Sequence, residues 1–118
     1  MGTFKTTIEI GDPTGTRYRA VEATVDTGAT YTIIPADILN ELSVDVLERR
    51  SFELADGGTA HYDLGETKIR LEGRSMTRAV VFGNGQAMPI VGADTLEGLG
   101  LVLDPIKKKL LPARGLML

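Results

Sequence analysis

The 118-residue sequence contains no cysteine. Disulfide frameworks, thiolate zinc sites and cysteine nucleophiles are therefore excluded. Histidine is almost absent too. The single one, His61, cannot build a metal site by itself, so neither a metal nor another cofactor is expected. There is no surplus of basic charge: 13 Lys and Arg stand against 16 Asp and Glu, a formal net charge of −3, which gives no pull toward nucleic acid. The one basic run, Lys107-Lys108-Lys109, reads as a solvated turn. No apolar stretch approaches the roughly 20 residues needed to span a bilayer, so no membrane partner is expected. The first residues lack the charged-then-apolar layout of a leader peptide, and the expected compartment is the cytoplasm. What is present, 42% hydrophobic and 25% charged residues, fits one globular domain over residues 1–118.

The periodicity is mostly that of short strands. Thr67-Lys68-Ile69-Arg70-Leu71-Glu72 alternates, with Ile69 and Leu71 on one face and charges on the other. Thr3 to Ile10 and Arg17 to Val25 are also β-like. The turn residues Gly11-Asp12-Pro13-Thr14-Gly15 between them predict a hairpin. Met76 to Phe82 reads as a strand entering the turn Gly83-Asn84-Gly85. Two segments break the pattern. Pro35 to Leu42 opens on a proline and sets Ile38, Leu39 and Leu42 along one side, as a helix requires. Asp94 to Leu99 has Glu97 three residues after Asp94, which predicts a helix with Asp94 as its N-cap. The expected fold is all-β with one or two short helices.

An internal repeat underlies this order. Ile33 to Leu42 lies over Ile90 to Leu99 at an offset of 57 residues, with five identities. The same offset places Gly28 over Gly85 and Asp26 over Gly83. Two copies of a strand–turn–strand–helix unit are expected, with an acid in the first copy alone.

That acid lies in Val25-Asp26-Thr27-Gly28-Ala29-Thr30, between two apolar strands. The spacing predicts a carboxylate at the mouth of a tight turn, partly enclosed by apolar neighbours. Gly28 admits a close backbone approach there, and Thr27 offers a hydroxyl. By themselves these residues also describe an Asx-turn in which Asp26 caps its own backbone.

A hydrophobic residue followed by Asp26-Thr27-Gly28-Ala29, and far downstream Ile90-Val91-Gly92 followed by a short helix, resembles the retropepsin-like aspartic proteases over roughly residues 3 to 111. The resemblance implies a pepsin-like half-barrel closed by homodimerisation. It implies Asp26 as the catalytic residue, with Thr27, Gly28 and Ala29 as the active-site turn and Ile90, Val91 and Gly92 as the second motif. Each chain brings one acid to a dyad whose like charges, held close, share one proton. Thr27 is implied to hydrogen-bond across the dimer beneath the two carboxyls. The resemblance also implies a flap hairpin over Ser51 to Leu64, with its tip at Asp56, Gly57 and Gly58, and an extended polypeptide as substrate. His61, Tyr62 and Asp63 on its returning strand read as surface or substrate-side positions. The sequence departs from the retroviral pattern at Thr30 and Ala93, where those enzymes usually carry an acid and an arginine that pair near the dimer interface. Lys108 to Leu111 or Leu116-Met117-Leu118 are the candidates for terminal strands shared between subunits, interrupted by Pro112 and Gly115. A non-catalytic peptide-binding module on the same fold is the alternative, with a purely structural role behind it.

Overall fold

The structure, a computed structural model, describes residues 4–114. The first two strands, β1 (Phe4–Gly11) and β2 (Tyr18–Val25), pair antiparallel from Phe4 opposite Val25 to Gly11 opposite Tyr18. Their alternation sends Ile8, Ile10, Val21, Ala23 and Val25 into the core. The turn between them is built on Asp12, a buried carboxylate. It accepts from the Thr14 and Thr16 hydroxyls at 2.9 Å, from the Thr16 N–H at 2.8 Å and from the Arg17 N–H at 3.1 Å.

Then follow β3 (Thr32–Pro35), α1 (Ala36–Glu41), β4 (Glu48–Glu53), β5 (Thr59–Leu71), β6 (Arg74–Gly83), β7 (Ile90–Val91), α2 (Ala93–Leu99), β8 (Leu101–Asp104) and β9 (Lys109–Pro112). Strand β5 is long enough to serve two neighbours in succession. Its first half pairs with β4, and its second half pairs with β6. Glu9 opposite Arg70 and Ile10 opposite Ile69 also join β5 to β1. That last pairing closes β1-β2-β7-β3-β6-β5 into a ring, with β4 outside it. The Glu72-Gly73 turn from β5 to β6 takes positive φ at both residues (54° and 74°), the geometry that matches the twist of a two-residue hairpin. The ring encloses Ile8, Ile10, Ile34, Ile69, Val80 and Val91, all at 0% exposure. Ile38 and Leu39 from α1 and Leu96 and Leu99 from α2 complete the same core.

The 57-residue repeat is visible in the strand register. Thr24 and Val25 pair in parallel with Ile90 and Val91. Adding 57 to the first pair and subtracting it from the second gives Val81 and Phe82 paired with Ile33 and Ile34, and those are parallel pairs in the structure. Ile33 itself pairs antiparallel with Ile90, its own repeat mate, where the two copies meet.

Several boundaries differ from the sequence reading. Pro35 ends β3 and serves as the N-cap of α1, one residue before the helix. The N-cap of α2 is Gly92, not Asp94, because β7 runs on to Val91 and the helix begins at Ala93. Glu72 lies in a turn, not a strand, since its left-handed backbone cannot continue the ladder. Pro112 does not interrupt the terminal strand. It is the last residue of β9, opposite Leu101 at a sheet edge, where its missing N–H costs nothing. Lys107 and Lys108 lie in the exposed turn between β8 and β9, with Lys109 opening β9. Leu116 to Leu118 and Thr3 lie outside the described residues.

The Asp12 turn predicts an acid-sensitive fold. The Arg17 N–H, then the Thr16 and Thr14 hydroxyls and the Thr16 N–H, outweigh burial and hold this carboxyl far below its ordinary value of 3.8. A depressed folded-state pKa gives stability that is present above the unfolded value and lost as pH falls below it. Thermal unfolding from pH 6 to pH 2 is expected to show Tm falling below about pH 4. Asp12→Asn is expected to lower Tm at pH 6 and flatten that dependence.

Candidate active site

Asp26 is the first residue past β2. Its N–H donates to the Val91 carbonyl at 3.0 Å, extending the parallel pairing with β7 by one step. The chain then turns sharply. The Gly28 N–H donates to Asp26 Oδ1 at 2.9 Å, and the Ala29 N–H donates to the Asp26 carbonyl at 3.1 Å. Asp26 is half-buried, while Thr27 and Gly28 are exposed. The Asx-turn is therefore real, and it aims the carboxylate while engaging one of its two oxygens.

The turn lies against the start of α2. The first N–H groups of a helix have no partner within it. Here the Ala93 N–H takes the Ala29 carbonyl, and the Asp94 N–H takes the Thr30 carbonyl, both at 2.8 Å. One residue earlier, the Gly92 N–H donates to Thr32 Oγ1 at 3.1 Å. That hydroxyl also meets Thr95 Oγ1 at 2.5 Å, and both threonines are fully buried. Gly92 has no room for a side chain. A Cβ there would stand 2.5 Å from the Tyr31 carbonyl carbon and oxygen and 2.9 Å from the Thr30 oxygen. These are backbone atoms and cannot swing aside. The two sequence motifs are thus one clasp: Ile90 and Val91 pair with β2, and Gly92 lets the turn settle on the helix.

Arginines of β6 hold α2 at both ends. Arg78 pairs with Asp94 through two nitrogens, at 2.6 and 3.3 Å. Arg74 donates to the Leu99 and Gly100 carbonyls at 2.9 and 2.8 Å. An acid in the first turn and a cation at the last carbonyls both suit the helix dipole. Thr30 is exposed and Ala93 half-buried, and no ion pair joins these positions. Backbone hydrogen bonds make that junction instead.

The second repeat ends differently. Gly83 follows the register of Asp26, but a Cβ there would meet the Ala87 Cβ at 2.6 Å and Ile33 Cγ2 at 3.0 Å. The hydrogen-bond pattern of the Asp26 turn recurs one residue later. The Gln86 N–H donates to Asn84 Oδ1 at 3.2 Å, and the Ala87 N–H to the Asn84 carbonyl at 2.9 Å. The second turn, equal in length to the first, therefore sets its side-chain acceptor one residue later and presents an amide, and Gly28 corresponds by hydrogen bonding to Gln86, not Gly85.

Between the two turns lies a cleft of about 450 Å³. Residues 28–31 form one side and residues 83–90 contribute another, with Ile33 and Val81 beneath. The β4–β5 hairpin adds Phe52, Glu53, Leu54 and Tyr62. Its tip is closed by the Leu54 N–H to the Gly58 carbonyl at 2.7 Å and the Gly58 N–H to Asp56 Oδ1 at 2.8 Å, with Gly57 at φ 89°. Asp56, Gly57 and Gly58 are all exposed there. His61 is exposed, and Asp63 pairs with Arg49 at 3.1 Å.

The sequence profile of the family described as gag-polyprotein putative aspartyl protease matches residues 16–98. The chain belongs to that family. The match takes in the Asp26 turn, the β4–β5 hairpin and the Ile90-Val91-Gly92 clasp. No curated protein matches the sequence. The fold is similar to those of many solved structures, three of which follow. The simian foamy virus (mac) protease is 19% identical, with a TM-score of 0.57 over 81% of this chain and 94% of that one. The EIAV protease complexed with the inhibitor HBY-793 is 22% identical, with a TM-score of 0.55 over 86% and 91%. A retropepsin-like aspartic protease from Rickettsia conorii is 18% identical, with a TM-score of 0.56 over 92% and 91%. At these identities the likeness establishes the fold, which is the retropepsin-like one expected from the sequence.

Of the residues that join the hairpin to the Asp26 turn, the sequence marks Tyr62 as a surface or substrate-side position, whereas Tyr31, Arg50 and Phe52 carry no such mark. Tyr31 and Phe52 meet edge to face with centroids 6.1 Å apart, and Phe52 meets Tyr62 at the same distance. Arg50 donates to the Tyr31 hydroxyl at 3.0 Å. The one signal in the sequence is scarcity: three of only six Phe and Tyr residues, with no Trp, gather here.

The clasp predicts a contrast between two glycines. Gly92→Ala, which drives a methyl into immovable backbone, is expected to destabilise the fold by about 2–3 kcal/mol in urea unfolding. Gly57→Ala, at an open tip with nothing within 4 Å, carries only backbone strain of about 1 kcal/mol.

Proposed function

We propose that the chain is half of an aspartic endopeptidase, in which two copies each contribute Asp26 to one dyad. The observation that carries this reading is the asymmetry between the repeats. Asp26 sits in a turn braced for it, whereas Gly83 is walled in and the turn beyond it carries the amide of Asn84. One polypeptide therefore supplies one acid at this kind of position, and a two-fold axis relating two chains supplies the second. In the dyad one carboxylate takes a proton from water while the other, protonated, donates to the scissile carbonyl oxygen. The water adds to give a tetrahedral intermediate, and no covalent bond to the protein forms. The β4–β5 hairpin acts as the flap, closing over an extended polypeptide whose backbone pairs with strand edges.

Cleavage of unstructured peptides is expected between about pH 4 and 7, where a shared proton is available to the dyad. Asp26→Asn preserves shape and removes the acid, and is expected to lower kcat by at least about 10²–10⁴-fold. Activity per chain is expected to fall on dilution in step with the loss of dimer in sedimentation. An Asp26→Asn protein as active as the parent overturns the reading. The alternative, a peptide-binding module without catalysis, is favoured by a strictly monomeric protein that binds peptides and leaves them intact.

A further inference from the structure

The β4–β5 hairpin stands apart from the interior. Strand β4 lies outside the ring and pairs with β5 alone. Among the described residues, none from Glu48 to Asp63 belongs to the hydrophobic core. Several polar bonds of the hairpin close on the hairpin itself: Arg49 donates to Asp63 and to the His61 carbonyl, and the Gly58 N–H donates to Asp56. Two β4 side chains reach out of it instead, and both end on Tyr31. Phe52 meets the Tyr31 ring edge to face. One nitrogen of Arg50 donates to the Tyr31 hydroxyl at 3.0 Å, and another pairs with Glu48. The guanidinium carbon lies 5.8 Å from the Tyr31 ring centroid, within reach of a cation–π attraction. The backbone of Tyr31 is fixed in turn. The Thr30 carbonyl before it accepts from the Asp94 N–H, Thr32 Oγ1 after it accepts from the Gly92 N–H, and its own carbonyl lies against Gly92.

We infer that Arg50 is a positioning residue: its bond to Tyr31 latches the β4–β5 hairpin to the clasp around Asp26 and so orders the hairpin before a polypeptide binds. The latch itself stands on these contacts, and its role in substrate binding rests on the endopeptidase reading. Arg50 acts through Tyr31, on position and not on chemistry. The cleft is present with the latch made, with Tyr31 on one side and Phe52, Leu54 and Tyr62 on the other. A chain that pairs with the hairpin there finds it already in place. Without the latch that ordering is done at the moment of binding, and affinity falls by its cost. The residue type suits the task. A guanidinium is a planar fork that serves a hydroxyl and a carboxylate together, whereas an ammonium on a flexible stem is a single point of charge. Glu48, two residues away on the same strand, holds the second arm of the fork.

The test uses the full chain. With no native cysteine, spin labels go only where cysteines are introduced. Ala55→Cys marks the exposed hairpin tip and Glu22→Cys the exposed side of β2. Labelled chains are diluted into unlabelled ones, so that pulsed electron resonance reads the distance within one chain. Tyr31→Phe keeps the ring and removes the hydroxyl. It and Arg50→Ala, both checked for folding by circular dichroism, are each expected to widen the tip distance distribution by about 2-fold or more. The double variant is expected to add little to either alone, as two members of one contact do, and Arg50→Lys to restore part of the parent's narrowness. In peptide cleavage by unlabelled protein, Arg50→Ala is expected to lower kcat/KM by about 3–10-fold, most of it through KM, with the pH profile of kcat kept. A widened distribution in protein that cleaves nothing upholds the latch while the dyad fails. Distances that neither substitution alters, or effects of the two that simply add, overturn the latch while cleavage leaves the dyad standing. A loss confined to kcat overturns the positioning role.

Discussion

Two hydrogen bonds, from the Ala93 and Asp94 N–H groups to the Ala29 and Thr30 carbonyls, hold the candidate site of this protein together. They satisfy helix donors that would otherwise be orphaned, and they fix a turn that would otherwise be a free loop. Everything around them serves that junction. Gly92 clears the space, Thr32, itself bonded to Thr95, accepts from the Gly92 N–H inside the core, and the parallel pairing of Val25 with Val91 sets the height at which Asp26 emerges. Arg74 and Arg78 then anchor the helix to β6, so the platform beneath the turn cannot slide.

The same economy explains why an ion pair is dispensable at Thr30 and Ala93. A charged pair near an interface brings direction but carries a desolvation cost. Here the helix is oriented by Asp94 with Arg78, a pair about one-quarter exposed and located on the β6 side of the helix. The junction with the turn is left to backbone groups, which carry no net charge. The closed ring of six strands supplies the rigidity on which this depends. Long β5 contributes by passing from the β4 hairpin into the ring without a break, which couples the exposed tip to the barrel through continuous backbone.

Much of this was legible in the sequence, and the parts that were not share a cause. The Asp26-Thr27-Gly28-Ala29 turn and Ile90-Val91-Gly92 stand out because each needs particular residue types. The 57-residue repeat survives as identities in its strands and helices, and the strand register honours it residue for residue. Within the second turn the hydrogen-bond pattern shifts by one residue while the turn length is kept, since loops tolerate rearrangements that strands reject. The capping of α2 was misread. Asp94 has the residue type of an N-cap, but the competing Arg78 draws it into the first turn, and carbonyls from a distant loop do the capping. Backbone carbonyls leave no mark in a sequence. Nor does the meeting of Tyr31, Phe52 and Tyr62, which come from a loop and two strands of a hairpin. Asp12 was read as a turn former, and its four donors, all within five residues of it, became apparent only in the folded turn.

The clasp also has a consequence in time. Its partners are sixty or more residues apart along the chain, as the Gly92–Thr32 and Thr32–Thr95 bonds record. Contacts of such long range form slowly, after nearer strands have paired. A nascent or half-unfolded polypeptide therefore has an Asp26 but no fixed place for it. The bracing of the acid turn therefore waits on contacts between distant parts of the chain, and a chain that has not yet made them carries Asp26 without the clasp around it.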